Sequence, residues 1–181
     1  MMGSGAGLLA LALLLGIAGG FAWGGLRPAY VGVITESGGI GVDEVASPVN
    51  VQFTGFANVQ FTGFAWFVLL ALLLGVVLGA VGWRSVRRGR VGGSVWWMLW
   101  IMTVAVLGAI SIYLFGDWLS LKLHPRPTHD VLETGSSFTL VPPVSPGVGW
   151  AVAPLTAGLV FWIGNLRAYA REPRGDDDSR L

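Results

Sequence analysis

Four long apolar stretches, separated by more polar connections, dominate the pattern of this chain. They cover approximately residues 7–26, 61–83, 95–115 and 150–169. Each is close to the ~20 residues that cross a hydrocarbon core of about 30 Å as a helix. Because backbone amides inside a bilayer need partners within their own segment, the stretches are predicted to be α-helical. The pattern predicts an all-α membrane protein, a four-transmembrane-helix bundle that forms one membrane domain over residues 1–170.

Composition supports the membrane assignment. The chain is 54% hydrophobic and 12% charged, whereas a soluble domain is about 25% charged. It has no cysteine, which excludes disulfides, thiolate catalysis and thiolate zinc sites. The first stretch could instead be a cleaved signal peptide. However, no Lys or Arg precedes it and its apolar run is longer than that of a typical signal peptide, so we expect an uncleaved helix.

Basic residues are distributed unevenly between the two sides that these helices define. The second connection carries Arg84, Arg87, Arg88 and Arg90, and the C-terminal part carries Arg167, Arg171, Arg174 and Arg180. The other connections hold Arg27, Lys122 and Arg126. Since cytoplasmic loops are enriched in Lys and Arg, we expect a multi-pass protein of the plasma (inner) membrane with both termini in the cytoplasm. Residues 171–181 are expected to form a disordered tail. The arginine cluster could also bind anionic lipid headgroups.

The two long outer connections, residues 27–60 and 116–149, contain patterns typical of strands. Alternating β-branched residues at 30–34 and 40–45 flank a glycine-rich turn, which favours a hairpin. Residues 137–141 predict one further strand between proline-rich segments. Because a lone hairpin is marginal in water, we expect both connections to build a small extracytoplasmic β-hairpin/strand cap.

Residues 50–57 are repeated, letter for letter, as residues 58–65. This unit is shorter than the ~20–50 residues of repeat architectures, so a duplication in the gene explains it better. If both copies are helical, the second helix projects about 12 Å beyond the membrane. The alternative is that the first copy is an irregular loop.

Tryptophans cluster near the ends of the predicted helices. Trp23, Trp66, Trp118 and Trp150 fall at the outer ends, and Trp83, Trp96, Trp97 and Trp100 fall at the inner ends. Because indoles prefer the level of the lipid headgroups, these residues are expected to form two interfacial belts.

Small residues recur at four-residue spacing in the first two helices. They are Gly16, Gly20 and Gly24 in the first helix and Ala71, Gly75 and Gly79 in the second. This spacing makes a groove along one helix face, which lets another helix approach closely. The favoured interpretation is that the four helices pack on one another here. The alternative is a docking face for a partner's helix.

Residues suited to catalysis are few. No Asp, Glu, Lys or His lies in the middle of a predicted span, which argues against a proton-coupled transporter. The histidines are His124 and His129, and the acids near them are Asp117, Asp130 and Glu133. The histidines are weak candidates for a metal or acid–base site, because their spacing fits no short motif. We therefore predict no catalytic residue, no cofactor and no nucleic-acid partner.

The order of these features resembles a known family. Arg27-Pro28 and Val31-Gly-Val-Ile-Thr35 follow the first helix, and a Phe-Thr-Gly-Phe-Ala segment leads into a glycine-rich second helix that ends in Trp83-Arg84. A proline-rich segment precedes the last helix. The chain thus resembles a family of small actinobacterial four-helix integral membrane proteins catalogued as a domain of unknown function. The resemblance implies an actinobacterial plasma membrane and no established activity. The doubled segment departs from the family pattern.

Three functional hypotheses fit these observations. The first is a non-enzymatic accessory or assembly protein that acts through helix packing and a periplasmic cap. Its partner in the lipid bilayer would be another membrane protein or a second copy of the chain. The second is an oligomeric conduit or carrier for an apolar or lipid molecule. The third is a membrane-surface enzyme that uses His124 and His129.

Overall fold

The computed structural model describes residues 2–27, 29–34, 40–43, 58–125 and 137–170. In chain order the elements are α1 (Met2–Leu26), β1 (Tyr30–Ile34), β2 (Ile40–Asp43), α2 (Asn58–Arg87), α3 (Val95–Leu123), β3 (Ser137–Leu140), a 3-10 helix (Gly147–Ala151) and α4 (Val152–Tyr169). Four helical segments are long and apolar enough to cross a membrane. The prediction of a multi-pass helical membrane bundle is therefore confirmed. The predicted tail, residues 171–181, lies outside the described residues.

Helix α3 extends further than the apolar pattern predicts. The apolar run stops near residue 115, because Gly116 and Asp117 follow it. The helix nevertheless continues to Leu123. Asp117 is paired with Arg27 and Ser120 is only 2% exposed, so this polar turn packs against the rest of the protein. The connection predicted at 116–149 consequently begins after Leu123.

Helix α2 begins at Asn58, the first residue of the second copy of the repeated segment. That copy forms the first turns of α2, whereas the first copy, residues 50–57, lies outside the described residues. The helix also continues past its predicted end at 83, as far as Arg87.

The four helices pack around a shared core. Helix α1 lies mainly against α3 and α2 against α4, and α3 contacts all three of the others. Fully buried side chains, among them Phe67, Leu78 and Ile112, fill the space between them. Large apolar side chains lie on the outside, such as Leu14 at 66% and Leu155 at 62% exposure. Such a surface suits a bilayer, since lipid tails are as apolar as leucine.

A small sheet follows the end of α1. Its strand order is β2-β1-β3, and both strand pairs are antiparallel. Val33 pairs with Gly41 in one ladder, and Tyr30 pairs with Leu140 in the other. The central strand β1 therefore pairs with one strand from the first long connection, β2, and with one from the second, β3. Helices α1 and α3 both end on the same side of the bundle, and we call this side the sheet end. The opposite end, where α2 finishes, is the arginine end.

Candidate functional site

Gly16, Gly20 and Gly24 line the contact of α1 with α3. A Cβ atom added to each would lie 2.6, 2.9 and 2.7 Å, respectively, from a backbone carbonyl oxygen of α3. Backbone oxygens cannot rotate away as side chains do. The missing side chains are therefore what allows the two helices to approach this closely.

The small residues of α2 have the same relationship to α4. A Cβ atom on Gly75 would lie 2.5 Å from the carbonyl oxygen of Ala153, and one on Gly79 would lie 2.5 Å from that of Ala157. Ala71, one turn before Gly75, is fully buried. Both small-residue faces thus lie inside the bundle. A partner helix could bind to either face only if contacts within this chain opened first.

Arg27, directly after α1, is the centre of a polar network at the sheet end. Its side chain is 2% exposed. Nη1 donates to Oδ1 of Asp117 at 2.9 Å and to Oγ of Ser120 at 3.0 Å. Nη2 donates to the carbonyl oxygen of Pro142 at 2.6 Å. The guanidinium carbon also lies 4.7 Å from the ring centre of Trp23, so one side chain joins α1, α3 and the segment that leads from β3 to α4.

The network offsets part of the cost of burying this charge. A buried cation needs an opposite charge and hydrogen-bond acceptors, because it has lost its water. Asp117 supplies the charge, and its own side chain remains 40% exposed. Nε of Arg27 is buried and has no hydrogen-bond partner among the described atoms. The two members of the ion pair therefore differ in exposure. The guanidinium of Arg27 is shielded from water, whereas water can reach the carboxylate of Asp117.

Trp23 lies in a buried aromatic cluster rather than on the lipid-facing surface. It is 0% exposed, and its Nε1 donates to the carbonyl oxygen of Gly63 at 2.7 Å. Its ring centre lies 5.5 Å from that of Phe67 and 5.8 Å from that of Tyr113. Trp150 closes the cluster, 5.6 Å from Phe67 and 5.5 Å from Tyr113. Trp23 is therefore not a residue of a lipid-facing belt, because its ring is buried and its N–H group has a partner inside the protein.

The other tryptophans divide between surface and interior. Trp96 and Trp118 are 81% and 52% exposed, as expected for belt residues. Trp97 is only 8% exposed, and its Nε1 donates to the carbonyl oxygen of Gly82 at 3.3 Å. An indole near a helix end can thus be a belt residue or a packing anchor, and its place in the sequence does not distinguish the two.

Sequence reasoning missed the pairing of Arg27 with Asp117. The sequence pattern relates Arg27 to topology and to the family resemblance, and it relates Asp117 to the nearby histidines. A signal was present, because each is the first charged residue beyond an apolar stretch and both lie at the same predicted end. Opposite charges in such positions can meet when their two helices are neighbours.

The histidines do not form a visible site with Asp117. His124 lies at the end of α3, where its backbone N–H donates to the carbonyl oxygen of Ser120 at 3.0 Å. Its Nδ1 is buried and has no hydrogen-bond partner among the described atoms. His129 lies outside the described residues, as do Asp130 and Glu133. Within the described part of the chain, no group of three potential metal ligands comes together.

The arginine end carries a cluster of positive charge. The side chains of Arg84, Arg87, Arg88 and Arg90 are all exposed. The guanidinium carbon of Arg87 lies 5.3 Å from the ring centre of Trp83. The acids of the described residues are Asp43, in β2, and Asp117, at the sheet end. Within the described ranges, therefore, no carboxylate neutralises the cluster.

Comparison of the chain with protein-family models, with curated proteins and with solved structures gives no match. The resemblance to the actinobacterial family stays a prediction.

Proposed function

We propose that this chain is a non-enzymatic accessory or assembly protein of the plasma membrane, which holds a small extracytoplasmic sheet on a four-helix anchor. The main support for this proposal is the hydrogen bond from Arg27 to the carbonyl oxygen of Pro142. Arg27 lies just before β1, and Pro142 lies just after β3. Because Tyr30 of β1 pairs with Leu140 of β3, both strands join the bundle beside the same guanidinium.

The helix bundle supports the sheet through several contacts. Arg27 also binds Asp117 and Ser120 of α3, and a planar guanidinium fixes the geometry of its partners better than a flexible ammonium would. Trp23 continues the contact into the aromatic cluster. A surface that is already ordered loses less conformational entropy when it binds. Such support suits a protein that presents a surface to a partner.

In this proposal the arginine end and both termini face the cytoplasm, and the sheet lies outside. The basis is the excess of Lys and Arg in cytoplasmic connections. The α2–α3 connection and the adjoining end of α2 carry four arginines with no acid. At the sheet end, the charge of Arg27 is paired with that of Asp117.

The test is cross-linking from two matched surface positions. A photo-reactive amino acid replaces Val148, which is 84% exposed just before α4, or Gly92, which is exposed in the α2–α3 connection. Each tagged variant is purified from its native membrane in a mild detergent and analysed by quantitative mass spectrometry. We expect a stoichiometric membrane or extracytoplasmic protein, or a second copy of the chain, cross-linked from Val148 and not from Gly92.

A preparation without any stoichiometric partner would overturn the accessory role and favour the conduit or carrier. Cross-linking from Gly92 alone would overturn the assignment of the sheet end as the contact surface. The enzyme hypothesis has its own test in a deletion strain. If a variant with both His124→Ala and His129→Ala restores the wild-type phenotype, the histidines perform no essential chemistry.

A further inference from the structure

A cleft opens at the arginine end, between the start of α1 and the end of α2. Its volume is about 530 Å³, and its lining includes Ser4, Gly7, Leu8, Val81, Ser85 and Arg90. Leu8 lies one turn further into the bundle than Ser4, and Val81 lies one turn further than Ser85. The cleft is therefore apolar on the side of the membrane core and polar at its mouth.

The end of α2 fixes the backbone of Arg90 at this mouth. Gly89 has a φ of 66°, and its N–H donates to the carbonyl oxygen of Val86 at 2.9 Å. The N–H of Arg90 donates to the carbonyl oxygen of Ser85 at 3.1 Å. These two bonds form a Schellman motif, which reverses the chain after the helix. The backbone of Arg90 therefore lies beside Ser85, at the mouth of the cleft.

The charges around the cleft favour an anion. Arg90 belongs to the cluster of four exposed arginines that has no carboxylate partner among the described residues. Guanidinium groups bind phosphate oxygens through short, charge-assisted hydrogen bonds. Ser4 lies in the first turn of α1, whose backbone N–H groups have no partner within the helix. The hydroxyl of Ser85 already donates to the carbonyl oxygen of Val81 at 2.9 Å. The donors that line the mouth therefore come from the start of α1 and from Arg90, in the turn after α2.

We propose that this cleft binds the phosphate group of one anionic phospholipid, with an acyl chain along Leu8 and Val81. A lipid fits better than a soluble phosphate, because the apolar lining continues from the phosphate position toward the membrane core. The site lies at the opposite end of the bundle from Arg27, and its occupation does not depend on the accessory role.

The experiment uses the full chain in nanodiscs that contain phosphatidylglycerol and phosphatidylcholine. Native mass spectrometry then counts the lipids that each variant retains. Gly7→Leu fills the cleft, and nothing lies within 4 Å of a Cβ atom at that position, so the bundle should fold. Arg90→Gln removes the charge. The matched control is Arg167→Gln, in the last turn of α4 at the same end.

Wild-type protein should retain one phosphatidylglycerol in preference to phosphatidylcholine. Gly7→Leu and Arg90→Gln should each weaken this preference by roughly tenfold or more, the effect of losing one charge-assisted contact or its space. Arg167→Gln should keep the preference, and Arg90→Lys should keep most of it. Circular dichroism should show the same helical content in every variant.

Equal retention of the two lipids by the wild type would overturn the proposal. An unaltered lipid preference in Gly7→Leu would also overturn it. So would a loss of preference in Arg167→Gln as large as that in Arg90→Gln, because it would indicate a diffuse effect of charge. Inorganic phosphate at millimolar concentration should not displace the lipid. Displacement would assign the site to a soluble phosphate and overturn the lipid assignment.

Discussion

Nη1 of Arg27 and Oδ1 of Asp117 lie 2.9 Å apart, and yet the two side chains differ sharply in exposure, at 2% and 40%. Removal of the acid would leave a dry cation without its counter-charge. Removal of the cation would leave an acid that water can solvate. The two halves of this ion pair should therefore contribute unequally to stability.

Asp117→Ala should lower the free energy of unfolding by about 3 kcal/mol, the lower end of the cost of leaving a buried charge unpaired. Arg27→Met keeps much of the packing on Trp23 and should cost about 1–3 kcal/mol, because the Pro142 carbonyl loses its donor. The double variant should be more stable than Asp117→Ala alone, since it holds no buried charge. Unfolding in mixed detergent micelles measures all three.

Lys122→Ala is the control for this series. Lys122 is an exposed cation near Asp117 on α3, and its loss should change stability by less than about 0.5 kcal/mol. A double variant that is less stable than Asp117→Ala would contradict the unequal roles of Arg27 and Asp117.

Trp23→Phe should cost about 1 kcal/mol, the net contribution of one hydrogen bond. The substitution keeps an aromatic ring near Phe67 but removes the Nε1 donor to Gly63. Trp23→Ala should cost about 3–5 kcal/mol, because it also leaves a cavity. Trp66→Phe is the matched control, since Trp66 is 36% exposed. Equal thermal stability of Trp23→Phe and Trp66→Phe would mean that the buried bond is unimportant.

The sequence predicted the features that depend on composition along one helix. Apolar length identifies a membrane span because the bilayer has a fixed thickness. The spacing of Gly16, Gly20 and Gly24 marked the face of α1 that α3 approaches, because a groove of small residues is a property of one helix. The spacing does not identify the neighbouring helix, since that depends on how all four helices are arranged.

The features that the sequence missed depend on two segments meeting. The predicted end of α3 fell at the first charge, since a local count assigns Asp117 to water. The place of Trp23 near a helix end predicts a lipid-facing belt residue, because the partner of its N–H, Gly63, lies forty residues away in the chain. Arg27 satisfies a carbonyl at Pro142 that lies still further along. Such pairings become predictable only when the helix neighbours are known.

Gly24→Ala and Gly25→Ala should differ in stability although the residues are adjacent. A Cβ atom at Gly24 would lie 2.7 Å from the carbonyl oxygen of Gly116, so α1 and α3 must separate. Overpacking of this kind costs about 1–3 kcal/mol. Nothing lies within 4 Å of a Cβ atom at Gly25, and the added methyl group should be neutral or stabilise the helix by up to about 1 kcal/mol. Thermal unfolding in a mild detergent compares the two. An equal loss in both variants would contradict a specific contact at Gly24.

Single cysteines can determine which end of the bundle faces which side, because the chain has none of its own. Val148→Cys is exposed beside the sheet end, and Gly92→Cys has open space at the arginine end. A maleimide that cannot cross membranes should label the first in intact cells and the second only after permeabilisation. The reverse pattern would place the sheet in the cytoplasm and contradict the proposed function.

Leu14→Cys adds a test of the bilayer itself. Leu14 is 66% exposed on the surface of α1, so a thiol there would be accessible to the reagent if water surrounded the helix. Maleimide reacts with the thiolate, which does not form in an apolar environment. Leu14→Cys should therefore stay unlabelled both before and after permeabilisation, and should become reactive once the protein is unfolded in dodecyl sulfate. Rapid labelling in native membranes would mean that this surface contacts water, and the membrane position assigned to α1 would be wrong.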